Sequence, residues 1–185
     1  MNNIIILDVE TTQNTQTRNE EIIEIAAFKI NKNFEIIEEF HSFVRPTCNL
    51  TYITKLKTGL NDYMLKDKNN INDVLPLILN FIKNSKIIAH NANFDCKAIK
   101  NSCKINNYQL NNVEFIDSIP IMKKLFPGEK YNLNSLKLKF NIKRNNHRSM
   151  DDILSLREIL ILTNNIYLKK FGKNIIDDLD EFKVI

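Results

Sequence analysis

The order in which apolar stretches change their spacing is the strongest constraint on what this chain can fold into. Residues 3–8, 21–30 and 34–44 are apolar runs of strand length, the last two separated by an Asn31-Lys32-Asn33 turn. After Arg45-Pro46 the spacing changes. Helical periodicity at Val74, Leu75, Ile78, Leu79 and Ile82 predicts a helix over 71–84. Two further short runs, 86–90 and 113–117, predict strands, followed by helices over 93–104 and 118–126. Helices are also predicted over 132–140 and 149–167. Residues 50–70 hold only short helical turns, with Asn61 as a cap. Three strands in close succession, then strands alternating with helices, describe an α/β domain with a mixed sheet flanked by helices.

At 185 residues the chain is one domain, assigned to 1–170, with a short C-terminal tail over 171–185. Its glycines are Gly59, Gly128 and Gly172. None lies in a phosphate-binding loop, which excludes P-loop and dinucleotide-binding readings. Asparagine and aspartate are expected to carry many of the turns instead. No apolar run approaches the roughly 18–20 residues that a membrane span needs. Met1 to Asp8 lacks the basic start of a signal peptide. Cys48, Cys96 and Cys103 form no CxxC, so the expectation is a reduced, cytoplasmic chain. The net charge of +4 permits a polyanionic partner without demonstrating one.

The carboxylates carry the chemistry. Asp8 and Glu10 stand two apart at the end of the first strand, so both point to one face. Taken alone, the pair is explained equally by a solvated strand end or by a ligand site at a sheet edge. On a helix from Asn93, Asp95 aligns with Ala98, Ile99 and Ser102, while Lys97, Lys100 and Lys104 take the opposite face. The bland account is a first-turn acid favouring the helix N-terminus. On the last helix Asp152 aligns with Leu156 and Ile159, whereas Asp151 aligns with Ser155 and Glu158. Asp152 is therefore predicted to point inward and Asp151 outward. Inward acids are costly unless paired or bound to metal. All-oxygen ligands suit Mg²⁺ or Mn²⁺, and two such ions about 3.5–4 Å apart serve phosphodiester hydrolysis. His147, in the polar Asn145-Asn146-His147-Arg148 loop, is a candidate general base. His41 lies in a strand where no acidic partner is expected nearby, and it is given no role. His90 ends a buried strand and is read as structural. No Cys/His spacing matches a zinc site.

Three segments, Leu7-Asp8-Val9-Glu10-Thr11-Thr12, His90 to Asp95, and His147-Arg148-Ser149-Met150-Asp151-Asp152, resemble the DEDDh (DnaQ-like) 3′–5′ exonuclease family. The resemblance extends from about residue 3 to 165 and includes IIEIAAFKI, ITKLKTGL and the LFPG segment. It implies a ribonuclease-H-like α/β fold with a mixed five-stranded sheet, strands 1–3 antiparallel and the later ones parallel. It implies two Mg²⁺ or Mn²⁺ ions held by Asp8, Glu10, Asp95 and Asp152, with His147 taking the proton from the attacking water. Thr11 and Thr12 would approach the 3′-terminal nucleotide, Asn91 would lie near the substrate, and the product would be a nucleoside 5′-monophosphate. Gln13 stands where the family often has Gly, and Ser149 where Ala is commoner.

Within that family the LFPG and HRSMDD segments look most like proofreading, epsilon-like subunits of bacterial DNA polymerase III. The expected partners are a single-stranded DNA 3′ end and a polymerase catalytic subunit. The rival with the same chemistry is an RNA exonuclease of the RNase T or oligoribonuclease type. A non-catalytic nucleic-acid-binding module predicts the loss of a carboxylate or of the histidine, and all five are present. Lys123, Lys124, Lys130, Lys137, Lys139, Lys143, Arg144 and Arg148 cluster in sequence near the third motif, which predicts a groove following a nucleic-acid backbone. The acidic ending over 175–182 is read as a frayed helix rather than a docking segment.

Overall fold

The computed structural model describes residues 3–144 and 147–184, so Asn145 and Asn146 of the polar loop lie outside the described residues. Five strands form one sheet: β1 (Asn3–Gln13), β2 (Glu20–Ile30), β3 (Ile36–Phe43), β4 (Ser85–Ala89) and β5 (Glu114–Asp117). Their order is β3-β2-β1-β4-β5. The pairs β1–β2 and β2–β3 are antiparallel, and β1–β4 and β4–β5 are parallel. This is the mixed sheet that the resemblance implies.

Strand β1 continues to Gln13 rather than stopping at Asp8. The apolar run ends there, but backbone pairing does not: Thr11 still pairs with Ile22 and Thr12 with Glu21. Between Glu10–Glu24 and Thr11–Ile22 the register slips, leaving Ile23 as the extra residue of a bulge. Bulges turn neighbouring side chains and recur beside active sites.

The helices are α1 (Tyr52–Thr58), α2 (Asp62–Leu65), α3 (Ile71–Ile82), α4 (Asn93–Ile105), α5 (Ser118–Leu125), α6 (Leu133–Lys139) and α7 (Ser149–Phe171). Polar side chains start many of them. Thr51, Asn61 and Asn132 each accept from a backbone N–H in the first turn, and Asn70 with Asp73 forms a reciprocal box. Asn84, Asn91, Asn107, Asn112 and Asn141 take positive φ, as expected in a chain this poor in glycine. Gly172 ends α7 at φ 73, with its N–H on the Leu168 carbonyl. At Gln13 no glycine is needed, because the turn is closed just beyond it. There the Asn14 carboxamide oxygen accepts from the Gln16 and Thr17 amides.

The inner strands of the sheet are buried on both faces, while the edge strand β3 is largely exposed. Ile6, Phe28, Ile88 and Ile116 pack against α5 and α7 through Ile121, Met122, Ile153, Leu156 and Leu160. Ile5, Leu7, Val9 and Ile87 pack on the other face against α3 and α4 through Leu75, Ile78, Cys96 and Ile99. Cys96 and Cys103 are free and buried in that second layer. Among the described residues, no helix is long and apolar enough to cross a membrane.

The reading of the acidic ending as a frayed helix does not hold. Residues Ile175–Phe182 form a 3₁₀ segment whose Ile175, Leu179 and Phe182 are buried in the α7 layer. Tyr167 donates to Asp178 at 2.6 Å, and the Val184 amide donates to the Phe115 carbonyl at 2.8 Å. Three of the four acids of this segment face lysines, Lys173–Asp178, Lys86–Asp180 and Lys124–Glu181, and Asp177 accepts from the Asn174 amide. Apolar spacing at 175, 179 and 182 was the available signal, obscured by the charges between.

Candidate active site

The site lies at the C-terminal edge of the parallel pair β1 and β4, where open α/β sheets leave a crevice. Leu7 and Val9 turn toward α3 and α4. Asp8 and Glu10, of opposite parity, turn with Ile6 toward α7. The β1–β4 ladder stops at Ile6–Ile88, so the amide of Val9 extends past the end of β4. Asp95, in the first turn of α4, takes that amide on Oδ1 at 3.1 Å. The helix-face assignments hold: Asp95 is 1% exposed, while Lys97, Lys100 and Lys104 face solvent. Asp152 is buried and Asp151 is less so.

His147 sits at φ 57, and its amide donates to Asp152 Oδ2 at 3.0 Å. That bond ties the histidine's backbone to the start of α7. One ligand atom each from Glu10, His147 and Asp152 lie within 4.8 Å of one another. Three elements that are distant in sequence thus bring the four carboxylates and the histidine together.

This concentration of acid raises the proton affinity of each carboxyl. Burial first, then the charges of Asp95, Glu10, Asp152 and Glu24, push Asp8 well above the ordinary range. Burial, then Asp152 and Glu24, raises Glu10 to about 7, against the pull of Lys57 and Arg148. Burial raises Asp95 to about 8, despite the bond from Val9. Asp152 is also raised, chiefly by burial, with Lys137 and His147 opposing. Asp8 Oδ2 and Asp152 Oδ1 are buried and have no hydrogen-bond partner among the described residues. Buried oxygens without donors, among mutually repelling carboxylates, are what a hard divalent cation would satisfy. The residues present therefore fit such ions.

The nucleotide-facing candidates divide. The Thr11 hydroxyl donates to Glu20 at 3.1 Å near the surface. Thr12 is buried, and its hydroxyl accepts from the Thr51 amide and the Thr54 hydroxyl, both at 3.3 Å. Its side chain thus secures α1 rather than presenting a hydroxyl to a ligand. Asn91 is exposed at φ 65, its amide bonded to Asp117 at 3.1 Å. His90 bonds Ser118 through Nδ1 at 2.8 Å, in keeping with a structural role.

Two sequence readings are corrected. His41 does have an acidic partner: Nε2 lies 2.8 Å from Glu24 Oε1 across the β2–β3 ladder. Glu24, which sequence reasoning passed over, is fully buried and directly opposite Glu10. Burial would raise its pKa, but hydrogen bonds and charge from His41 and Arg148 outweigh that and hold it below the usual range. The basic stretch is not one open groove. Lys124, Lys139, Arg144 and Arg148 pair with Glu181, Glu129, Glu158 and Glu24. Lys137 is buried, and its charge acts on Asp152.

Fold and sequence likeness together place the chain among the exonucleases. The chain belongs to the RNase T exonuclease family, which matches residues 5–160. It is 32% identical over 191 residues to the DNA polymerase III subunit epsilon of Buchnera aphidicola subsp. Schizaphis graminum, covering 95% of this chain and 82% of that protein. It is 38% identical over 160 residues to the PolC-type DNA polymerase III of Caldanaerobacter subterraneus subsp. tengcongensis, covering 85% of this chain. The chain spans only 11% of that polymerase's length. Among solved structures, E. coli Exonuclease I with a dT13 oligonucleotide superposes with a TM-score of 0.80 at 18% identity. That match covers 93% of this chain and 43% of that one. The nuclease domain of 3′hExo, a DEDDh family member bound to rAMP, gives 0.77 at 16%, covering 94% of each. At these identities the structural likeness establishes the fold.

Proposed function

We infer that this protein is a divalent-metal-dependent 3′–5′ exonuclease that removes nucleoside 5′-monophosphates from single-stranded DNA ends. The observation that carries this is the convergence of Asp8, Glu10, Asp95 and Asp152, with buried unpartnered oxygens, beside His147. In this reading the four carboxylates hold two Mg²⁺ or Mn²⁺ ions. Bound, those ions supply activation of the attacking water and stabilisation of the leaving 3′ oxygen. His147 accepts the water's proton at a ring nitrogen. Its exposure, and its position beside Glu10 and Asp152, support that role. Thr11 and Asn91 line the approach of the terminal nucleotide.

DNA is the preferred substrate and proofreading the preferred role, with a DNA polymerase catalytic subunit as partner. Likeness along most of the chain to epsilon subunits, and to part of PolC-type polymerases, supports this. The test supplies 5′-labelled single-stranded DNA and RNA of one sequence, with product analysis. A ladder shortening from the 3′ end, 5′-mononucleotide product and preference for DNA are expected. Preference for RNA would transfer the same chemistry to RNA turnover.

A further inference from the structure

We propose that Glu24 is a positioning residue for the reaction, clamping the start of α7 so that His147 and Asp152 meet Glu10. The proposal rests on the reading of His147 and Asp152 as reacting groups. Helix α7 has no capping side chain of its own: Arg148 stands at its N-cap without a side-chain bond to the first turn. The acceptor comes from β2 instead. Glu24 takes the Arg148 guanidinium in a two-point fork, Nε to Oε2 at 3.0 Å and Nη2 to Oε1 at 3.2 Å. The same Oε2 lies 3.4 Å from the amide of Ser149, the first residue of α7. Arg148 also lies over the Phe43 ring at 5.3 Å, and His41 meets that ring edge-on.

The clamp is therefore anchored on β2 and β3 and acts on the residue next to His147. Two-point arginine–carboxylate pairs fix direction as well as distance. His147 holds a left-handed backbone, which a residue other than Gly, Asn or Asp keeps chiefly where its surroundings enforce it. The bonds on either side, His147 amide to Asp152 and Arg148 side chain to Glu24, supply that enforcement. Glu24 touches no substrate and acts through Arg148 and the helix start.

The test compares Glu24→Gln, Arg148→Gln and the double variant in the full chain. It measures kcat and KM on single-stranded DNA, and Mn²⁺ affinity by calorimetry. Glu24→Gln is expected to lower kcat about 10–100-fold, the usual cost of losing a supporting partner of a metal site, with KM unchanged. The double variant should be little worse than either single one, because both break the same clamp. Unchanged kcat in folded Glu24→Gln, or losses that multiply fully in the double variant, would overturn the proposal. If Glu24→Gln does not fold, Arg148→Gln decides, since Arg148 is partly exposed. A lowered kcat supports the clamp, and a raised KM at unchanged kcat rejects it in favour of a phosphate contact. Failure of the exonuclease reading itself would show as an inactive wild type with Mg²⁺ or Mn²⁺ present.

Discussion

Asp151 and Asp152 are adjacent and chemically identical, and only their angular position on α7 separates them. Asp152 points toward Glu10 and carries an oxygen that has no partner among the described residues. Asp152→Ala or Asp8→Ala is therefore predicted to abolish turnover. Neither should lower the melting temperature of the metal-free protein much, because each removes a buried repelling acid. Asp151→Ala should stay near wild-type turnover. His147→Ala should slow the reaction by roughly 10²–10⁴-fold, the usual contribution of a general base, measured as kcat at saturating substrate. An unchanged rate would remove His147 from the mechanism. Helical and strand periodicity made the inward direction of Asp8, Glu10, Asp95 and Asp152 legible from the sequence. Glu24 was not legible, because its significance depends on pairing with Glu10 on another strand and with Arg148, 124 positions away.

Among the elements, strands β2 to β5 and the helices lie within a few residues of where apolar spacing put them. The ends differ where backbone pairing or packing outlasts the apolar pattern. Strand β1 continues through polar Thr11 and Thr12 because β2 still pairs with it. The 3₁₀ segment Ile175–Phe182 is the larger difference, since its charges suggested exposure while its apolar residues are buried. Leu179 is 1% exposed in the α7 layer, so Leu179→Ala should cost about 2–5 kcal/mol in a denaturant titration. An unchanged midpoint would mean that the segment does not unfold with the domain.

In the molecule as a whole, the fold draws into one crevice acids that would be better separated without cations. Glu10 and Asp95, raised from ordinary values of 4.5 and 3.8 to about 7 and about 8, hold protons more tightly in the folded chain than in the unfolded one. The stability contributed by such groups is full at low pH and is lost as pH rises through the folded values. The metal-free protein should thus melt at progressively lower temperature from pH 5 to pH 8, where Mg²⁺ or Mn²⁺ should restore the most. A metal-free Tm that rises over that range would contradict the site's electrostatics. The sense in which the strands pair and the three-motif constellation were legible through the resemblance. The neutralising pairs made by Lys124, Lys139, Arg144 and Arg148 required the tertiary structure.

The most direct test of the carboxylate site is one gel. Purified protein and its Asp152→Ala and Asp151→Ala variants are given 5′-labelled single-stranded DNA with Mg²⁺, Mn²⁺ or EDTA. The account predicts a ladder shortening from the 3′ end with either metal in wild type and Asp151→Ala. It predicts no ladder with EDTA or in Asp152→Ala. Degradation that persists in EDTA, or that survives Asp152→Ala but not Asp151→Ala, would contradict it.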